Sequence, residues 1–441
     1  MKLKRNAVVL IHGIGGPRPM DTLRNFVEGV RDGLKSNNNL QEQKSVIRSK
    51  PNKMSVGFET RMLRLSKSRK RAATDFYEFY WAHTMKENKF SDFSDWVFKL
   101  LLTRSKNVPD NFKFLWWFLW SFFCLAVVII LGVLFVKPMR EYYLWISSLS
   151  MIMVIGTVVF RLLKGTFLNF AGDAGRYFTP KACNVESRFE IRRRGIELLT
   201  SLQNSDKYDR IILVGHSLGS VIGYDLLRFL WTDVHETFDK SKKIAQPFVK
   251  QVNQLTKKLW EEGTIANREK IAREFRYAQH DCFEEYKNLG LKWLISDFIT
   301  IGSPLCNIDF LSAGKVPFET MVREREYPVC PPLNDESDKA IYFKESVEFL
   351  DNKWSVKVLH HAALFGVTRW TNIFFENDII GGSMERLFGS GVRNISIKNS
   401  IPRIFLGGHT KYWTDKIDRR AIREICRALN LKEEDQVKGS K

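Results

Sequence analysis

The sequence predicts an α/β fold with a mostly parallel sheet covered by helices on both faces. Three observations carry this prediction. Apolar runs rich in Val, Ile and Phe alternate along the chain with stretches of helical spacing, the pattern of strands that are buried on both sides. The pentapeptide GHSLG, residues 215 to 219, follows the apolar run Ile211 to Val214 and precedes SVIGYDLLRFL, so it joins a strand to a helix. Near the N-terminus, AVVLI runs straight into the glycine-rich HGIGG.

In chain order, strands are expected at 7 to 11, 55 to 63, 75 to 82, 210 to 214, 296 to 302, 370 to 376 and 393 to 397. Helical spacing appears at 21 to 35, 188 to 203, 219 to 231 and 415 to 429, the last with Ile417, Ala421, Ile425 and Leu429 on one face. Residues 232 to 292 interrupt the alternation with a charged, amphipathic segment. It reads as a solvated helical excursion or, alternatively, as a lid, because functional lids are often long insertions.

Two further runs stand apart. Residues 114 to 136 and 142 to 160 carry no charge and are separated by KPMRE. The first would span roughly 34 Å as a helix, against a hydrocarbon core of about 30 Å. The expectation is a two-helix transmembrane hairpin, with a buried helical hairpin or an apolar lid as the alternative. It divides the folded domain into residues 1 to 113 and 161 to 441. Lys99, Arg104, Lys106 and Lys113 precede it, Arg161, Lys164, Arg176 and Lys181 follow it, and only Lys137 and Arg140 lie between the runs. The positive-inside rule then makes this an integral membrane protein with two crossings, both termini and the folded domain being cytoplasmic.

The chain has 441 residues, of which 44% are hydrophobic, enough for a substantial core. Its six cysteines are scattered, with no C-x-x-C pair and no Cys/His cluster at zinc spacing, so no structural metal is indicated. The apolar run at 7 to 11 is too short for a signal-peptide core and leads into His-Gly, so it reads as a strand. A net charge of +20 implies attraction to an anionic surface, such as lipid headgroups or nucleic acid. No nucleic-acid motif supports the second. Basic stretches at 66 to 71 and 192 to 194 suit anionic lipid or simply a solvated face.

A serine on a sharp strand-to-helix turn matches the nucleophile elbow, which makes Ser217 the candidate nucleophile. Its hydroxyl needs a base. His409, in the glycine-rich FLGGHTKYW beyond the last expected strand, is the candidate; His360 and His361 sit in an apolar context that suits structural roles. Asp378, just after the run ending at Glu376, is the candidate acid, with Glu376 as runner-up. An oxyanion would be held by the amide of Leu218 and by that of Ile14 or Gly13. HGIGG taken alone also suits a phosphate loop, but it lacks the Lys-Ser/Thr of a Walker motif.

Together, VVLIHGIGG, GHSLG, ITIGSPL, DIIGG and GGHTKYW resemble the lipase and esterase-like members of the α/β-hydrolase superfamily. That resemblance implies hydrolysis of carboxylic esters through an acyl-enzyme, without cofactor or metal. It gives triad roles to Ser217, Asp378 and His409 and oxyanion roles to Leu218 and Ile14. With the hairpin it suggests lipid or phospholipid substrates, membrane lipid serving also as anchor. A membrane-anchored binding or scaffold protein on an inactive hydrolase fold is the alternative.

Overall fold

The computed structural model describes residues 5–14, 18–34, 46–52, 61–68, 71–85, 100–135, 177, 182–241, 245–311, 316–349, 352–402, 408–415 and 417–431. Within these, eight strands form one mixed, mostly parallel sheet. They are β1 (Asn6–Ile11), β2 (Ile47–Pro51), β3 (Arg61–Leu65), β4 (Thr74–Phe79), β5 (Arg210–His216), β6 (Ile295–Ile301), β9 (Arg369–Phe375) and β10 (Arg393–Ile397). Their order is β10-β9-β6-β5-β1-β4-β3-β2. The six strands from β10 to β4 run parallel, and β3 and β2 extend the sheet in antiparallel fashion. Two more strands, β7 (Tyr342–Phe349) and β8 (Asn352–Leu359), form a separate antiparallel hairpin.

The central strands are apolar throughout because both faces are covered. Val9, Ile11, Ile211, Leu213 and Phe298 point into one core with α3 (Ala182–Gln203) and α4 (Leu218–Val234). Val8, Leu10, Ile212, Val214 and Ile299 point into a second core, beneath α1 (Asp21–Leu34) and the C-terminal helix α7 (Arg420–Leu429). Alternate side chains of one strand thus feed different cores, the period-two consequence of a sheet buried on both sides.

The expected strands are present with shifted ends. Of the run expected at 55 to 63, residues 55–60 lie outside the described set, and Arg61–Leu65 forms β3. The C-terminal helix starts at Arg420, and Ile417, expected on its apolar face, is 98% exposed and precedes it. Within 232 to 292 lie α5 (Pro247–Glu261) and α6 (Ile265–Asn288). Their apolar faces join the first core through Val249, Val252, Phe275 and Phe283. Gln279 of α6 donates to the carbonyls of Phe365 and Thr368, fastening this pair to the body of the domain.

The membrane expectation is corrected. Among the described residues no helix is long and apolar enough to cross a membrane, so neither the inserted transmembrane hairpin nor the two-crossing topology is retained. Residues 114–135 of the first run fall in α2 (Asp110–Phe135), and the second, 142–160, lies outside the described residues. The first turns of α2 are tied to the folded domain, while farther along the run Trp117, Phe123, Val128 and Leu131 are exposed. Phe112 is fully buried and packs on Phe310, and Asn111 donates to the Gly381 carbonyl at 2.9 Å. The indoles of Trp116 and Trp120 donate to the carbonyls of Thr103 and Leu101. An uncharged run records that a segment is apolar, not what surrounds it.

Sheet register brings four strand ends level. Ile11 lies beside Phe79 and Gly215, and His216 beside Ile301, which in turn pairs with Ile373. The carboxyl ends of β1, β5, β6 and β9 therefore finish together, and the loops leaving them are neighbours, where open α/β sheets place their ligands.

Candidate active site

Ser217 stands between the end of β5 and the start of α4 with φ 53° and ψ −129°, a strained conformation for a residue with a side chain. The turn closes because its neighbours lack Cβ atoms. A Cβ on Gly219 would overlap the Ile11 and His12 carbonyl oxygens, and one on Gly215 would overlap the backbone of Ser220. The Ser217 amide donates to the Ile301 carbonyl at 3.0 Å, tying the elbow to β6. The Ser220 hydroxyl donates to the Ser217 carbonyl and lies 2.5 Å from the Ser303 hydroxyl.

The loop after β1 crosses directly over this serine. A Cβ on Gly13 would sit 2.8 Å from the Ser217 Cβ. His12 sets the path of the loop: its Nδ1 bonds the Gly13 carbonyl at 2.7 Å, its ring stacks on Trp81, and the Trp81 indole donates to the His12 carbonyl at 2.9 Å. Burial lowers the pKa of His12 to about 4, so the ring is neutral at pH 7 and donates from Nδ1. Ile14 is half-buried on this loop, and Leu218, fully buried, is the first residue of α4, whose opening amides have no acceptor within the helix. Gly13 and Leu218 thus flank the serine from the loop after β1 and from the start of α4.

Asp378 and His409 are in direct contact. His409 Nδ1 donates to Asp378 Oδ2 at 2.8 Å and lies 3.1 Å from Oδ1. Both residues are buried, and the aspartate also accepts from the Ile380 amide at 2.9 Å and the Tyr412 hydroxyl at 2.7 Å. Burial by itself would raise the Asp378 pKa, but His409 and these two donors outweigh it and hold the pKa below the usual value. The carboxylate is thereby kept ionised and aimed at the ring.

Gly302 brings this pair to the elbow. It follows Ile301, the acceptor of the Ser217 amide, and a Cβ there would lie 3.0 Å from both Asp378 Oδ2 and His409 Cε1. Its φ of 55° and this close approach both require glycine. A second link comes from His216, whose Nε2 bonds the His409 carbonyl at 3.0 Å while the two rings stack 5.0 Å apart. Burial, with His409 adding to it, lowers the His216 pKa to about 3.

The remaining candidates lie elsewhere. Glu376 is exposed, its carboxylate accepting from the Ser396 hydroxyl at 3.2 Å. His360 bonds the Leu333 carbonyl, His361 tilts against it, and His235 bonds the Trp231 carbonyl. Sequence reasoning missed His216, Gly302 and Tyr412. The position of Tyr412, three residues after His409, was the available signal. Among the described residues no group of three or more His, Cys, Asp or Glu could hold a metal ion. A cavity of about 670 Å³ is lined by Cys306, Asn307, Gly382, Ser383 and Arg386 together with the first turn of α2.

This is an α/β protein with a buried serine, histidine and aspartate gathered at the carboxyl edge of its parallel strands. No family model matches the chain, and neither a curated protein nor a solved structure matches it.

Proposed function

We propose that the chain is a serine hydrolase of carboxylic esters, built in the manner of the α/β-hydrolase superfamily. The observation that carries this reading is the buried Asp378–His409 pair linked through Gly302 to a serine in a positive-φ elbow. A neutral imidazole that donates from Nδ1 to a carboxylate presents Nε2 as the base.

In the proposed reaction His409 Nε2 takes the Ser217 proton as Oγ attacks the ester carbonyl. The negative oxygen is held by the Leu218 amide and that of Ile14 or Gly13. The intermediate collapses, the imidazolium gives its proton to the departing alcohol, and an acyl-serine remains. Water, deprotonated by the same imidazole, then releases the acid. With the membrane crossings removed, the reading rests on the site alone, and its substrate class is esters without a stated chain length.

A fluorophosphonate probe tests it. Labelling of the wild type that disappears in Ser217→Ala is the expected outcome. Labelling that persists in this variant removes the serine from the reaction, and absence of turnover over a broad ester panel favours the binding-protein alternative.

A further inference from the structure

We infer that Tyr412 is a positioning residue that sets the basicity of Asp378 and, through it, that of His409; this rests on the triad reading above. The phenol is buried and makes two bonds of opposite sense. It donates to Asp378 Oδ2 at 2.7 Å, the oxygen that also receives His409 Nδ1, and it accepts from the Phe375 amide at 3.0 Å. Its ring lies flat on Phe375, with centroids 4.2 Å apart and planes within 8°. The end of β9 thus holds the phenol from both the ring and the oxygen, leaving its proton one direction in which to point.

That geometry acts in three ways. The hydroxyl competes with the imidazole for one carboxylate oxygen, so the charge that stabilises an imidazolium is partly drawn off. Asp378 also stays ionised and does not take the Nδ1 proton. Finally, His409 and Tyr412 share one short segment, so the bond from Phe375 fixes the distance between base and acid as well as the orientation of the acid.

The burial of the phenol and the negative charge of Asp378 both raise the Tyr412 pKa well above its ordinary value, which keeps it a donor at every working pH. The facing groups on neighbouring elements are His216, whose ring lies edge-on to Tyr412 at 6.1 Å, and Cys306, whose thiol burial pushes up; both are uncharged near neutrality. Asp378 and His409 are therefore the charges that the phenol acts upon.

The test is the pH profile of kcat/KM for full-length Tyr412→Phe on a soluble ester. Loss of the phenol proton concentrates charge on Asp378 and stabilises the imidazolium, so the acidic limb should move up by about one pH unit, the scale of a hydrogen bond to a charged group. Loss of the fixed orientation of the acid should lower kcat by about tenfold with KM little changed. Should Phe at 412 prevent folding, fluorotyrosine placed at this position keeps the shape and strengthens the donor, and the limb should move down instead. A limb that stays in place in either protein overturns the proposal and leaves Tyr412 as packing for Phe375. Failure of the triad reading shows separately, as unchanged hydrolysis by Ser217→Ala.

Discussion

The ring of His216 stacks on that of His409 at 5.0 Å while its Nε2 bonds the carbonyl of the same residue, so the position before the candidate nucleophile grips the candidate base. Only a neutral His216 serves this role without repelling an imidazolium. Its burial ensures that neutrality, and the consequences of the arrangement can be measured.

Ser217→Ala should lower ester hydrolysis by roughly 10³-fold or more while leaving the thermal midpoint nearly unchanged, because the residual rate would come from the oxyanion donors and binding alone. Steady-state kinetics beside a melting curve separates loss of chemistry from loss of fold.

Asp378→Asn should cost roughly 10³- to 10⁴-fold in kcat, since an amide that donates to Nδ1 imposes the wrong tautomer on His409. The same change leaves Tyr412 with an altered partner, so some loss of stability is also expected. Comparison of kcat with the unfolding midpoint reads both.

Gly219→Ala should destabilise by about 2 to 3 kcal/mol, because its Cβ would meet the carbonyl oxygens of Ile11 and His12, which are backbone and cannot swing away. Gly263, with no atom within 4 Å of a Cβ, supplies the control. Its alanine variant should fall within about 0.5 kcal/mol of wild type in urea denaturation.

Acid should unfold the protein through its buried histidines. The folded-state pKa falls from 6.5 to about 3 for His216 and from 6.5 to about 4 for His12. Between 6.5 and those values the unfolded chain binds more protons, so stability falls as pH drops through that window. Asp378, whose pKa is depressed, contributes stability that is lost further down, as pH falls through its folded value below 3.8. Denaturation midpoints from pH 7 to 4 should decline, and His216→Gln should flatten the decline.

Much of this was legible in the sequence. Ser217 and Asp378 are candidates because each closely follows a strand, and His409 because it stands in a glycine-rich loop beyond the last one; parallel strands bring their carboxyl ends to one edge. β2, with sequence IRSKP, and β7, with alternating charge in YFKESVEF, escaped notice because an edge strand and an isolated hairpin need little apolar pattern. The run at 114 to 136 misled for the opposite reason. Hydropathy cannot show that Trp116 and Trp120 use their indoles to hold Thr103 and Leu101. Tyr412 offered only its spacing from His409 as a signal, because an aromatic residue in a loop has no period that names its partner.

One consequence of the topology concerns the order of assembly. β1 lies at the centre of the sheet between β4 and β5, and Asn6 meets Arg210 across 204 residues of chain. Closing such a loop costs about 5 kcal/mol of chain entropy before any strand pairing offsets it. His216 then meets His409 a further 193 residues on. The candidate serine, acid and base are thus drawn from segments spread along much of the chain. The proposed reaction would therefore require pairing between strands from distant parts of the chain.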